Sequence, residues 1–285
     1  MAGERAGNST NLNPILDLAR NTELNGVVID VKDGFGKVDY ASSIPEVQRS
    51  GACEALYDAE AVIGLLHTNN IYVIGRIVCF RDPWLASNRT DLAIKQCDGA
   101  VWKENGTTPW ANPYKEEVWK YNISIAKEAV AKGFDEIQFD YARFPSGRST
   151  NIAFGIGNPP KADAIRSFLR AAGRELCEGK RVKLSADVFG IVCQSLGDRQ
   201  EIGQDLERLG WDLDYVCPMV YPALFANWSR GKGGNGVGQS INGILFTAPD
   251  LKPYEVVYNT LARCKSRIST VPGYRAKIRQ YLQAF

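Results

Sequence analysis

Two aspartates, Asp140 and Asp187, each stand near the end of a short apolar segment. Asp140 lies in FDEIQFDYARFP and Asp187 lies in KLSADVFG. A carboxyl group placed there is either one half of a structural ion pair or a reactive group, because buried charges are usually paired. Two carboxyl groups that are held close together can divide the roles of nucleophile and proton donor. The chemistry open to this chain therefore depends on whether its fold brings the two aspartates together.

Charged and aromatic residues at the ends of other apolar segments are candidates for contact with a substrate. The predicted set is Asp30, Lys32, Arg76, Asp82, Trp84, Arg143 and Tyr221. Arg143 could fix the ionised state of Asp140, since a guanidinium lowers the pKa of a nearby carboxyl group. The alternative for Asp140 is a structural ion pair with Arg143 or Lys32. Asp30 could instead be the acid, or hold Lys32.

The segments that must position these residues alternate between helix-like and strand-like patterns. Helices are predicted in PILDLARNTELN, EALYDAEAVIGLLHTNN, YKEEVWKYNISIAKEAVAKG, ADAIRSFLRAAGRELCEGK, DRQEIGQDLERLG and PYEVVYNTLARCKSR. Each precedes one of six short apolar strands, which predicts βα units around a parallel sheet. No G-x-G-x-x-G or Walker loop follows a strand, so a nucleotide-binding doubly wound sheet lacks its usual mark. The pattern therefore favours an α/β fold of the (β/α)8 barrel type.

Strand parity predicts which side chains face the interior of such a barrel, because side chains alternate across a strand. In IQFDY, Asp140 lies on the face opposite Phe139. The same count places Asp187, Asp30 and Lys32 on the interior face of their strands. Barrels of this type carry their chemistry at the carboxyl ends of the strands. We therefore predict that the four charged residues converge at the barrel mouth.

Composition narrows the functional classes. The chain has 285 residues, of which 45% are hydrophobic, and a net charge of +2; we predict one domain over 1–285. With no long basic run, neither nucleic acid nor an anionic membrane surface is expected as a partner.

The seven cysteines include no C-x-x-C pair, so neither a metal cluster nor a disulfide framework is expected. His67 is predicted to end a helix. No segment is long enough to span a membrane, and MAGERAGNSTNLNP lacks the apolar region of a signal peptide.

Five motifs, GVVIDVKD, YVIGRIVCFRDP, GFDEIQFDYARFP, LSADVFG and DYVCPMVYP, together resemble the putative glycoside hydrolase family DUF4015. The resemblance runs from about Leu12 to Phe285. It implies a TIM barrel of the α-amylase-like group of glycosidases, a polysaccharide or oligosaccharide substrate and no cofactor. In that group the nucleophile is on strand four and the acid/base on strand five, the strands that carry Asp140 and Asp187 here. The family also suggests a cell-envelope or extracellular location.

The sequence departs from the family pattern in two places. The first and last barrel strands have no counterpart here, which predicts an incomplete barrel with an exposed seam, as in a gene fragment. The final family motif reads close to R-P-W-L-Q-D-F, whereas this chain has RQYLQAF over 279–285. In the α-amylase-like group the acid/base residue is commonly Glu. Asp187 at this position has a shorter side chain than Glu.

Two other functions fit the same residues. A non-catalytic barrel that kept the pocket would bind glycans, with Trp84, Trp102, Trp110 and Trp228 as rings that could stack on sugar faces. A metal-assisted lyase or aldolase would use Asp30, Asp82 and Asp140 as oxygen ligands. A glycosidase instead needs two carboxyl groups about 5–5.5 Å apart if retaining, or about 6.5–9.5 Å if inverting. Adjacent strands, about 4.8 Å apart, bring the retaining separation within reach.

Overall fold

The computed structural model describes residues 1–146, 151–177, 182–225 and 239–283. Its helices are α1 (Gly3–Ala6), α2 (Ser9–Asn21), α3 (Pro45–Ser50), α4 (Ala59–Thr68), α5 (Pro83–Asn88), α6 (Glu116–Lys132), α7 (Lys161–Cys177), α8 (Leu206–Leu209) and α9 (Pro253–Ile268). Short 3₁₀ segments occupy Gly190–Cys193, Pro222–Phe225 and Pro249–Leu251. Trp228 lies outside the described residues. None of the helices described is both long and apolar enough to cross a bilayer.

The strands are β1 (Gly26–Lys32), β2 (Val38–Tyr40), β3 (Cys53–Tyr57), β4 (Tyr72–Val78), β5 (Lys95–Gln96), β6 (Lys103–Glu104), β7 (Thr108–Pro109), β8 (Glu136–Asp140), β9 (Ile152–Ala153), β10 (Lys183–Phe189), β11 (Tyr215–Val220), β12 (Gln239–Ile241), β13 (Ile244–Phe246), β14 (Lys277–Ile278) and β15 (Tyr281–Leu282). The main sheet runs β14-β11-β10-β8-β4-β1-β2-β3, with β15 also paired to β11. From β1 to β14 every neighbouring pair is parallel.

This strand order is that of a (β/α)8 barrel that is not closed. Helices α4, α6 and α7 contact β4, β8 and β10, as βα units require. Within the described ranges, no strand pairing joins β14 or β15 to β1. The structure therefore confirms the α/β fold with a parallel-strand sheet.

Helix α6 shows how the sequence pattern becomes the outer layer. Its predicted apolar face, Val118, Tyr121, Ile125 and Ala129, is buried. Gly133 ends the helix with φ +107°, a left-handed conformation that glycine adopts without a Cβ clash. The next strand, β8, follows at Glu136. The cap therefore delivers the chain into the strand that carries Asp140.

Two predicted helices are shorter in the structure. The EALY segment forms β3, and α4 begins only after Asp58, whose side chain accepts the Ala61 N–H. Only Leu206–Leu209 of DRQEIGQDLERLG is α-helical. Asp198 accepts the N–H groups of Ile202 and Gly203, and such side-chain bonds compete with helical ones.

A bulge in β1 changes the face on which Lys32 lies. Asp30 pairs with Arg76 of β4, but Lys32 pairs with Ile77, so Val31 is an extra residue. A one-residue slip moves side chains to the other face of a sheet. Lys32 therefore points towards the helices, and the prediction that it faces the barrel interior is wrong.

Candidate active site

A cavity of about 400 Å³ lies at the carboxyl ends of the central parallel strands. Each of five neighbouring segments contributes a polar residue to it: Asp30 on β1, Arg76 on β4, Asp140 on β8, Asp187 on β10 and Tyr221 just after β11. Its wall is completed by Met1, Val28, Tyr141, Met219 and Tyr281. The strand-end rule thus placed five of the nine predicted site residues at one cavity.

Arg76 joins two of the carboxylates in this cavity. Its Nη1 donates to Oδ1 of Asp30 at 2.8 Å, while its Nε and Nη2 donate to Oδ2 of Asp140 at 3.1 and 2.5 Å. Burial by itself would lower the pKa of Arg76, but Asp140 and then Asp30 outweigh it and raise that pKa. Arg76 therefore remains a cation between two acidic side chains.

Asp140 is surrounded by donors. Besides the two bonds from Arg76, its Oδ1 accepts the backbone N–H of Tyr141 at 2.6 Å. Both oxygens of Asp140 therefore act as hydrogen-bond acceptors. Tyr141 has φ +49°, a conformation that costs energy for a non-glycine residue and is often found at functional sites.

Asp187 has the opposite surroundings. It is only 3% exposed, and its Oδ1 has no hydrogen-bond partner in the described part of the chain. Burial, and next the charge of Asp140, raise the pKa of Asp187 well above its usual range. A buried carboxyl group in these surroundings is stabilised in its protonated form.

Strand register places Asp140 and Asp187 side by side. The last residues paired between β8 and β10 are Phe139 and Ala186. The two aspartates are the next residue on each strand, and adjacent strands lie about 4.8 Å apart. The two carboxyl groups therefore line one cavity from neighbouring strands.

Lys32 and Asp82 form a separate, fully buried ion pair. Nζ of Lys32 donates to Oδ2 of Asp82 and to Oδ1 of Asn122, each at 2.7 Å. The other carboxylate oxygen of Asp82 accepts the Leu85 N–H at the start of α5. Both side chains have no exposed surface, so the expectation that they contact substrate is not supported by their position.

The ligand set expected for a metal-assisted enzyme is not assembled. Asp82 pairs with Lys32 in the interior, while Asp30 and Asp140 line the cavity. Among the residues with described positions, no group of three or more His, Cys, Asp or Glu side chains is arranged to hold a metal ion.

Arg143 and Trp84 also lie away from the cavity lining. Arg143 sits over the ring of Phe189 at 4.5 Å and donates to the Phe144 carbonyl. Arg76, rather than the predicted Arg143, makes the ion pair with Asp140. Trp84 donates its indole N–H to the Ser50 carbonyl at 2.8 Å. Packing accounts for both of these residues.

Sequence reasoning missed Tyr281 as a cavity residue. Its hydroxyl donates to Oε1 of Gln138 at 2.5 Å, and β15 pairs with β11 at Met219. The sequence signal that could have found Tyr281 is strand parity, which places Gln138 on the interior face with Asp140. The segment RQYLQAF over 279–285 reads as a departure from the family motif and gives no sign that Tyr281 lines the cavity.

Comparison with known proteins gives a family and a fold. A family model described as "Putative glycosyl hydrolase domain", DUF4015, matches residues 1–285. A hypothetical protein from Ruminiclostridium thermocellum ATCC 27405 is 45% identical, with a TM-score of 0.62, over 66% of this chain and 96% of that one. No protein with a curated description matches significantly.

Two more distant solved structures share the fold. The PgaB (BpsB) glycoside hydrolase domain from Bordetella bronchiseptica is 12% identical, with a TM-score of 0.62, over 98% of this chain and 92% of that one. A β-galactosidase from the psychrophilic Marinomonas ef1 is 14% identical, with a TM-score of 0.53, over 79% and 40%. The family description, together with this fold, supports a glycoside hydrolase.

Proposed function

Since the chain belongs to the DUF4015 family of putative glycosyl hydrolase domains, we propose that it cleaves glycosidic bonds of a polysaccharide. Asp140 is the nucleophile and Asp187 is the general acid and base. One observation carries the proposal: two carboxyl groups on adjacent strands line one cavity in opposite surroundings. Asp140 accepts three N–H groups, whereas Asp187 is buried with a raised pKa.

Glycoside hydrolysis needs this division of labour. Protonated Asp187 donates its proton to the glycosidic oxygen as the C–O bond breaks. The carboxylate of Asp140 attacks the anomeric carbon and forms a glycosyl ester. Water then attacks that carbon, Asp187 takes the proton, and Asp140 leaves as a carboxylate.

The charge of Asp140 also explains how Asp187 can change roles. That charge contributes to the raised pKa of Asp187 in the free enzyme. When Asp140 is esterified its charge disappears, so the pKa of Asp187 falls and the group becomes a competent base. As Asp140 is released the charge returns, and Asp187 again retains its proton.

Arg76 and the cavity wall support these two residues. Arg76 holds Oδ2 of Asp140 with two N–H groups, which fixes the carboxylate before the substrate arrives. Tyr221 and Tyr281 contribute aromatic rings to the wall, and such rings can pack on a sugar. Adjacent strands allow the short separation of a retaining enzyme.

The proposal is tested by screening purified protein against a panel of polysaccharides, with Asp140→Asn and Asp187→Asn beside it. We expect each variant to lose about 10²–10⁴-fold in kcat, the usual range for a catalytic acid or base. Asp187→Asn should lose less on substrates with a good aryl leaving group, because these need little protonation.

Asp39→Asn is the matched control, since Asp39 is a buried carboxyl group that does not line the cavity. Its turnover should equal that of the unmodified protein. Full activity in Asp140→Asn or Asp187→Asn would refute that residue's role. Glycan binding without turnover by the unmodified protein would favour the non-catalytic alternative.

A further inference from the structure

A second groove lies at the other end of the sheet from the candidate active site. It has a volume of about 630 Å³ and is lined by α7 and by the segments that lead into β11 and β14. Its polar lining includes Arg166, Arg170, Arg174, Trp211, Asp212 and Arg275. Because these segments precede β11 and β14, the groove lies at the amino ends of the strands, whereas the cavity lies at their carboxyl ends.

The sequence of α7 puts three arginines on one face. Arg166, Arg170 and Arg174 are four residues apart, so they are neighbours along the helix surface. The opposite side of the helix, which includes Phe168 and Leu169, is buried in the core. The arginine face therefore points away from the core and into the groove.

Two of these arginines are held in place by protein contacts that leave their outer nitrogens available. Nε of Arg166 donates to Asp212 at 3.1 Å, and the guanidinium lies 4.2 Å from the Trp211 ring centroid. Nε of Arg170 lies 3.5 Å from the same carboxylate. Both contacts to Asp212 use Nε, and no described residue accepts a hydrogen bond from the Nη groups of these two arginines, so the Nη groups can bind a ligand.

Arg174 and Arg275 complete the groove as exposed cations. Neither has an ion-pair partner within 1–146, 151–177, 182–225 and 239–283, whereas Arg166 and Arg170 share Asp212. The backbone N–H of Arg275 donates to the Gly210 carbonyl at 3.0 Å, which ties its segment to the one that carries Trp211. Two guanidinium groups without an ion-pair partner among the described residues therefore face the same space as two preordered ones.

The groove concentrates positive charge. Asp214, also in its lining, is paired with Lys183 at 2.8 Å. The four arginines of the lining outnumber its two aspartates, Asp212 and Asp214, which leaves two positive charges. The whole chain carries only +2. A local excess of this kind attracts an anionic ligand.

We infer that this groove binds a polysaccharide that carries carboxylate groups. Guanidinium groups match carboxylates with paired hydrogen bonds, and the volume suits a sugar unit better than a single ion, since ligand pockets span about 300–1,000 Å³. The sugar character of the ligand rests on the proposed function. Because the groove is remote from the cavity, a polymer held there leaves the cavity open.

The test is equilibrium binding of the whole chain to polygalacturonate, with neutral dextran and a single-stranded oligonucleotide as comparisons, by calorimetry at two salt concentrations. We expect polygalacturonate to bind and its affinity to fall with salt. Arg174→Gln/Arg275→Gln should weaken binding by about tenfold or more, because each removes a charge-assisted contact. Neither arginine makes an ion pair with a described residue, so we expect the fold to be unaffected, and an unchanged Tm verifies this.

Arg20→Gln/Arg49→Gln is the matched control, since it removes the same charge from two exposed arginines elsewhere. It should change affinity by no more than about twofold. Equal loss in both double variants, tighter binding of the oligonucleotide, or equal binding of dextran overturns the inference. Asp140→Asn should bind polygalacturonate normally, so that failure of the proposed catalysis and failure of this site are separate results.

Discussion

Two ion networks include residues of β1, one on each side of the sheet, and they differ in what they leave unpaired. On the cavity side, Arg76 joins Asp30 and Asp140, and its side chain is 25% exposed. On the helix side, Lys32 pairs with Asp82 with no exposed surface. The cavity network borders Asp187, whose Oδ1 has no described partner. In the buried network, Asp82 uses both of its oxygens.

A structural charge differs from a reactive one in its burial and in the hydrogen bonds that it leaves unmade. A buried ion pair with all of its hydrogen bonds made contributes to folding, and removing one partner is costly. A partly exposed network that borders a protonated carboxyl group has capacity left for a substrate. A charged residue at a strand end does not by itself identify a functional site. The side of the sheet on which it lies, and whether all of its hydrogen bonds are made, distinguish a reactive residue from a structural one.

The largest expected effect comes from breaking the buried pair. Lys32→Met should lower the free energy of unfolding by about 3–5 kcal/mol, because Asp82 would be left charged and unpaired in the core. Urea unfolding measures this, and turnover per folded molecule should stay normal. Lys32→Met/Asp82→Asn should recover much of the loss, since Asn also caps a helix. An unchanged unfolding midpoint for Lys32→Met would contradict the structural assignment.

Asp39 is a buried carboxyl group that does not line the cavity, so it shows the effect of burial without a catalytic role. Burial, and next Asp33 and Asp30, raise the pKa of Asp39 to about 8. Its side chain is 2% exposed. The unfolded chain loses this proton near its ordinary pKa, about 4, whereas the folded chain keeps it until about pH 8. The carboxyl group therefore makes folding less favourable as pH rises between these values.

Asp39→Asn should flatten that pH dependence and stabilise the protein at pH 8 by on the order of 2–4 kcal/mol. The Asn side-chain oxygen can still accept the Gly3 N–H that Asp39 accepts at 3.1 Å. Thermal unfolding at pH 5 and pH 8 measures the effect. Parallel pH curves for the two proteins would show that Asp39 does not titrate in this range.

A smaller change is expected from Arg76, because it acts through Asp140. Arg76→Met should reduce kcat/KM by about 10²-fold, since the nucleophile loses two of its three donors and its orientation. Arg76→Lys should recover only part of the loss, because an ammonium cannot reproduce the guanidinium fork. Stability should fall less than in Lys32→Met, because the Arg76 side chain is 25% exposed whereas that of Lys32 is fully buried. Normal turnover of Arg76→Met would remove Arg76 from the mechanism.

Sequence patterns predicted the frame of the molecule better than its details. Alternation of helices and strands located β1, β4, β8, β10 and β11, because apolar runs and helical periodicity are local signals. Strand parity predicted that Asp30, Asp140 and Asp187 face the interior together, and all three line one cavity. It failed at Lys32, because the bulge at Val31 is a property of the β1–β4 pairing and leaves no local signal.

The sequence also did not predict which side chains pair with each other across the sheet. Arg143, which is near Asp140 along the chain, and Lys32 are the counter-ions that the sequence predicts for Asp140. The actual partner is Arg76, which is 64 residues away in sequence but on the adjacent strand. Tyr281 reaches Gln138 over 143 residues. Such contacts follow from register and from side-chain reach, neither of which a single sequence displays.

Asp140 and Asp187 line one cavity, where Asp140 accepts three N–H groups and Asp187 is buried with a raised pKa. Carbon-13 NMR of carboxyl-labelled aspartate, with Asp187 assigned by comparison with Asp187→Asn, measures this directly and needs no substrate. We expect the pKa of Asp187 to lie well above the usual value of about 3.9 and to fall when Asp140→Asn removes the neighbouring charge. An Asp187 that titrates at the usual value, unaffected by Asp140→Asn, would contradict it.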